Sequence, residues 1–74
     1  MVLFGASWCG SCRLARAYLA RSGIAYSDVD IDSPAGRRAY AAAGGGGVPL
    51  LVADGDRLQG FSELAYDYFF ARHP

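Results

Sequence analysis

The sequence predicts an α/β fold in the order β-α-β-α-β-β-α, a mixed four-stranded sheet flanked by three helices. Three observations carry this. Short apolar runs alternate with stretches of helical periodicity, and a β-α-β unit pairs its strands in parallel through a right-handed crossover. Start and stop residues bracket each helical stretch. Asp54-Gly55, late in the chain, is a two-residue hairpin signal that adds an antiparallel pair. The 74 residues suffice for one domain, 1–74, and leave no room for a second.

Met1 to Gly5 is a short apolar run closed by glycine, which fits a buried strand. A helix of about 12 residues follows from near Gly10, an ordinary length for a globular domain. Leu14, Ala15, Tyr18 and Leu19 gather on its core-facing side, with Arg13, Arg16 and Arg21 off it as solvated charge. Gly23 takes the left-handed position past the helix end, and Ile24 packs back on the last turn. Ile24 to Ile31, rich in β-branched and aromatic residues, reads as the second strand.

Ser33 as N-cap and Pro34 at the first helical position start the second helix, which runs through Tyr40 to Ala43. Gly44 to Gly47 stops it. Four glycines carry no side chain to pack and lose much backbone entropy on ordering, so a mobile loop is expected. Pro49 to Ala53 is the third strand, and Arg57 to Gln59 is the fourth, beyond the hairpin turn. Ser62 caps the last helix, with Phe61 stapled against Tyr66. Phe61, Leu64, Ala65, Tyr68 and Phe69 are assigned to its core-facing stripe, and Tyr66 and Phe70 lie off it. His73 reads as a cation favoured by the end of that helix.

Hydrophobic residues make up 53% of the chain and aromatics 14%, too rich a mixture for disorder. Seven acidic residues balance seven basic ones, all of them arginine. That balance argues against a basic nucleic-acid-binding domain. No apolar run approaches the roughly 18 residues of a membrane span. No basic segment with a following apolar core opens the chain. The expectation is a soluble, cytoplasmic monomer with neither nucleic acid nor membrane as partner.

The chemistry-bearing residues are Cys9 and Cys12, the only two cysteines, in Trp8-Cys9-Gly10-Ser11-Cys12. A two-residue gap at a helix start brings both sulfurs within bonding reach. It also sets Cys9 beside unpaired backbone N–H groups and the positive helix end, which favour a thiolate. Cys12, one turn further in, is the more enclosed. A structural disulfide over so short a loop stabilises little. A zinc site needs four ligands, and one cysteine pair with the distant His73 does not supply them, so no metal is assigned. A cluster shared between two chains stays open as an alternative. The redox-active dithiol is the reading favoured by a CxxC at a strand–helix junction. Val48-Pro49 opens the third strand after the glycine loop, a position where the missing proline N–H costs no ladder bond.

Taken in order, Cys9-Gly10-Ser11-Cys12, Tyr26-Ser27-Asp28-Val29-Asp30-Ile31-Asp32 on the second strand, Val48-Pro49 and Gly60-Phe61 resemble the glutaredoxin family of the thioredoxin fold across essentially the whole chain. The resemblance implies a thiol–disulfide oxidoreductase in electron transport and cell redox homeostasis. Its catalytic pair, and its redox disulfide, would be Cys9 as attacking thiol and Cys12 as resolving thiol. Pro49 is implied to be cis, with the Val48 backbone pairing an extended substrate or glutathione. Trp8, bordering Cys9, reads by its position as a partly exposed substrate contact. The resemblance implies Gly10 and Ser11 as substrate contacts, either Arg37 or Arg38 as the partner of the glycine carboxylate of glutathione, and Gly60, Phe61 and Ser62 as the loop that holds the γ-glutamyl carboxylate. No bound cofactor is implied. Glutathione is the candidate electron donor, and disulfide-bearing proteins are the partners.

The chain has no lysine before its CxxC, and it has Gly47 where glutathione users often show threonine. Gly60-Phe61 is also closer to the redoxins that serve ribonucleotide reductase and are recharged by thioredoxin reductase. That role, and a glutathione-dependent iron–sulfur cluster carrier, are the two alternatives.

Overall fold

The structure, a computed structural model, describes residues 1–74. Its elements are β1 (Val2–Gly5), α1 (Gly10–Arg21), β2 (Ser27–Asp30), α2 (Pro34–Ala42), β3 (Leu50–Ala53), β4 (Asp56–Gln59) and α3 (Glu63–Arg72). The sheet order is β2-β1-β3-β4, with β1 and β2 parallel and the other two pairings antiparallel. The expected architecture is therefore present. The second strand is shorter than the Ile24–Ile31 run, because Ile24 and Tyr26 pack against the core before pairing with β1 begins. Pro49 likewise precedes β3.

Local signals account for the turns. Past α1, the Gly23 N–H bonds to the Ala20 carbonyl and the Ile24 N–H to that of Leu19, while Gly23 adopts φ +67°. This is a Schellman stop, and Ile24 folds onto the core as its apolar partner. The Ser33 hydroxyl accepts from the Gly36 N–H and that of Ser62 from the Ala65 N–H, capping α2 and α3. Asp54 and Gly55 both have positive φ, as the tight turn joining β3 to β4 requires.

Strand alternation divides the sheet into two faces. One face carries Leu3, Leu51 and Ala53, covered by Ala15, Tyr18 and Leu19 of α1 and by Tyr66 and Phe69 of α3. On the other face Tyr40 of α2 meets Phe4 at 5.8 Å between ring centroids. The Tyr18 hydroxyl donates to Asp67 at 2.6 Å and ties α1 to α3.

Two helix orientations depart from expectation. In α1, Leu14 is 57% exposed and Cys12 takes its place in the buried set with Ala15, Tyr18 and Leu19. In α3, Leu64 and Tyr68 face solvent while Tyr66 is fully buried and Phe70 packs against the core. The stripe is Tyr66, Phe69, Phe70 and His73, at the i, i+3, i+4, i+7 spacing of one helix face. The staple decides between the two settings: Phe61 meets Tyr66 at 4.7 Å, which turns Tyr66 inward and swings Leu64 out. His73 does more than complement a helix end. Its ring stacks on Phe69, with Nε2 2.9 Å from Asp56 and Nδ1 3.5 Å from Asp54, so it clasps the hairpin.

The glycine loop is braced by its neighbours. The Arg57 guanidinium donates to the Ala43 carbonyl, the Gln59 amide to the carbonyls of Gly45 and Gly47, and the Gly47 N–H to the Tyr40 hydroxyl. No helix is long and apolar enough to cross a membrane.

Candidate active site

Cys9 is the N-cap of α1, with extended backbone angles and a side chain that accepts the Cys12 N–H at 3.1 Å. Sulfur thus does the capping work usually given to serine or aspartate. Both cysteines are free thiols. Ala6 and Cys12 pack with Cys9, and Ile31 and Val48 close in beside them. Cys9 keeps 9% of its surface and Cys12 none, a narrower opening than a bare helix end suggests.

The Val48–Pro49 peptide bond is cis. The Val48 carbonyl lies 3.8 Å from the Cys9 sulfur, so the loop before β3 lies over the first cysteine. The Gly60 N–H donates to the Pro49 carbonyl at 2.8 Å, which sets Gly60 and the start of α3 on the far side of the same proline. Trp8 is 67% exposed, and its indole N–H donates to Asp32 at 2.9 Å. Trp8, Cys9, Cys12, Val48, Pro49 and Gly60 are therefore neighbours along one end of the sheet.

Gly10 and Ser11 form the exposed first turn of α1 between the two cysteines. The other expected contacts are placed differently. Phe61 is half-buried and turned into the core against Tyr18 and Tyr66. The Ser62 hydroxyl is engaged as a cap. Arg37 is exposed on α2, and no hydrogen bond or ion pair ties its side chain to the cysteines or to Val48.

Burial pushes the Cys12 thiol up to about 11, and the adjacent Cys9 adds to the rise. The Ala6 backbone and the Arg16 guanidinium pull the other way. Arg16 is not free surface charge: its Nε pairs with Asp28 of β2 at 3.0 Å, and its side chain is largely covered. The Tyr66 hydroxyl is buried without a hydrogen-bond partner, and its pKa rises through burial and then through the charge of Cys12.

Sequence reasoning missed three residues here. Asp32 lies in the Asp-Ile-Asp run but gives no sign that it meets Trp8. Arg16 stands four residues after Cys12, one helical turn on the same side, which is a readable signal. Tyr66 was concealed by the wrong stripe.

A family model described as glutaredoxin matches residues 1–58. Among solved structures, a glutaredoxin from Archaeoglobus fulgidus superposes with a TM-score of 0.80 at 20% identity, covering 93% of this chain and 83% of that one. Thioredoxin O2 from Arabidopsis thaliana, in its oxidised state, gives 0.74 at 22% identity, covering 96% and 70%. The thioredoxin of Fasciola hepatica gives 0.72 at 28%, covering 99% and 78%. No curated protein matches the sequence.

Proposed function

The chain belongs to the glutaredoxin family and is a thiol–disulfide oxidoreductase, and we propose that it reduces protein and glutathione mixed disulfides through Cys9 and Cys12. The observation that carries this is the Cys9 sulfur at the N-cap of α1, receiving the Cys12 N–H at 3.1 Å beneath the Val48 carbonyl. A backbone N–H and the positive helix end aimed at one sulfur suit the charge it carries when attacking and when leaving.

Cys9 thiolate attacks one sulfur of the target disulfide and expels the other as a thiolate, giving a mixed disulfide. Cys12 then attacks the Cys9 sulfur. The target leaves as its second thiolate, and the Cys9–Cys12 bond forms. The target gains two electrons and the dithiol loses two. Two molecules of glutathione return the pair to thiols and leave as glutathione disulfide. The substrate lies extended along the Val48 backbone beside Pro49, with Trp8 flanking the opening and Gly10, Ser11 and Gly60 lining it. Phe61 and Ser62 act by holding the start of α3. Arg37, exposed on α2, is assigned to a carboxylate of the incoming glutathione.

Turnover of a glutathione mixed disulfide tests this, run in parallel with glutathione plus its reductase and with thioredoxin reductase. Turnover in the glutathione arm is expected. Cys9→Ser should abolish it, and Cys12→Ser should spare glutathione mixed disulfides while losing protein disulfides. Activity in the thioredoxin-reductase arm alone moves the assignment to the redoxins that serve ribonucleotide reductase. Inactivity of fully reduced protein in both arms refutes the proposal.

A further inference from the structure

Gly5 ends β1 directly behind the second cysteine. The point where a side chain would begin there lies 2.9 Å from Nη2 of Arg16 and 3.2 Å from the sulfur of Cys12. Laid end to end, those distances bound the guanidinium and the sulfur at about 6 Å apart. The absence of a side chain leaves the space into which both project. Asp28 of β2 grips Nε of the same arginine at 3.0 Å, which fixes the direction in which the guanidinium points. Cys12 itself is wholly enclosed.

We propose that Arg16 is a positioning residue for the resolving thiol: its guanidinium, held by Asp28 and admitted by the bare Gly5, stabilises the Cys12 thiolate that attacks the Cys9 mixed disulfide. This rests on the assignment of Cys12 as the resolving cysteine. An enclosed sulfur is hard to ionise, yet only its thiolate attacks. In the mixed disulfide Cys9 is neutral, so the contribution of Cys9 that opposes ionisation of Cys12 is gone. Burial remains, countered by the Ala6 backbone and by Arg16. The other titratable group facing Cys12 is the Tyr66 hydroxyl from α3, while β1 and β3 bring none. Arg16 is therefore the cation placed to offset the burial. The proton that Cys12 loses on ionising passes to solvent, the displaced sulfur departs as a thiolate, and the electron count of the step is unchanged.

An aromatic disulfide that releases a coloured thiolate separates the two steps in the full chain. The first release reports attack by Cys9. The second reports resolution by Cys12 and is absent in Cys12→Ser. A unit charge about 6 Å away moves a pKa by about 0.5 even at the dielectric of bulk water. Arg16→Met removes the positive charge, so ionisation of Cys12 becomes harder. The second-phase pH profile should move at least about 0.5 pH unit to the alkaline side. The second-phase rate at pH 7 should fall about twofold or more, after the stronger nucleophilicity of a more basic thiolate is allowed for. Arg16→Gln should repeat the shift, and Arg16→Lys should restore the profile.

An unmoved profile in Arg16→Met and Arg16→Gln overturns the proposal, and so does Arg16→Lys behaving like Arg16→Met. Failure of the underlying assignment looks different: the wild-type protein gives no second release, or Cys12→Ser retains it.

Discussion

At the scale of single residues, the sequence exposes the chemistry and hides its surroundings. Cys9 and Cys12 are legible because spacing and helix start together fix where the sulfurs go. Arg16, Asp32 and Tyr66 act through contacts with distant parts of the chain, and the only local marks are the one-turn spacing of Arg16 from Cys12 and the staple of Tyr66 against Phe61. Tyr66 yields a prediction. Its hydroxyl is buried with no partner, and an unpaired hydroxyl in that state costs about 1–3 kcal/mol of desolvation. Tyr66→Phe keeps the ring contacts with Tyr18 and Phe61. It should be neutral or stabilise the fold by up to about 1 kcal/mol. A rise or no change in the denaturation midpoint is expected, and a loss above about 1 kcal/mol would show that the hydroxyl has a partner after all.

Elements were readable where capping chemistry spoke and misread where only periodicity did. The boundaries of α1, α2 and α3 follow from Gly23, Ser33-Pro34 and Ser62. The facing of α3 did not follow, since Leu64, Tyr66, Tyr68, Phe69 and Phe70 make that helix apolar nearly all round. Its true orientation was contained in the Phe61–Tyr66 staple. That contact and the stripe through Leu64 and Tyr68 cannot coexist. The helix α2 depends on one close approach. A Cβ on Gly36, its only buried residue, would lie 1.9 Å from the Asp30 carbonyl oxygen. Gly36→Ala must push α2 away from the end of β2, an overpacking that should cost about 2–3 kcal/mol. Chemical denaturation would measure it, and a loss below about 0.5 kcal/mol would mean that α2 is not seated there.

Over the whole molecule, the topology was legible because each connection had its own signal: a crossover helix, a glycine stop, an Asp-Gly turn. The radius of gyration, 11.3 Å, equals what a compact chain of this length should have. The clasp that joins the last helix to the β3–β4 turn was not legible, because Asp54, Asp56 and His73 meet only after folding. His73→Ala removes both carboxylate contacts and the stacking on Phe69. A loss of about 1 kcal/mol is expected, read as a drop in Tm of about 4–8 °C for a domain of this size. An unchanged Tm would reduce the clasp to a surface coincidence.

The sheet order leaves β2 and β4 at its two margins, each four residues long. One margin bears Asp28 and Asp30, and the other Asp56 and Arg57. Two copies that met along β2 would set carboxylate against carboxylate for the sake of four residues of ladder, and a meeting along β4 would gain no more. Crowded solutions therefore find little incentive to zip neighbouring molecules into a continuous fibre.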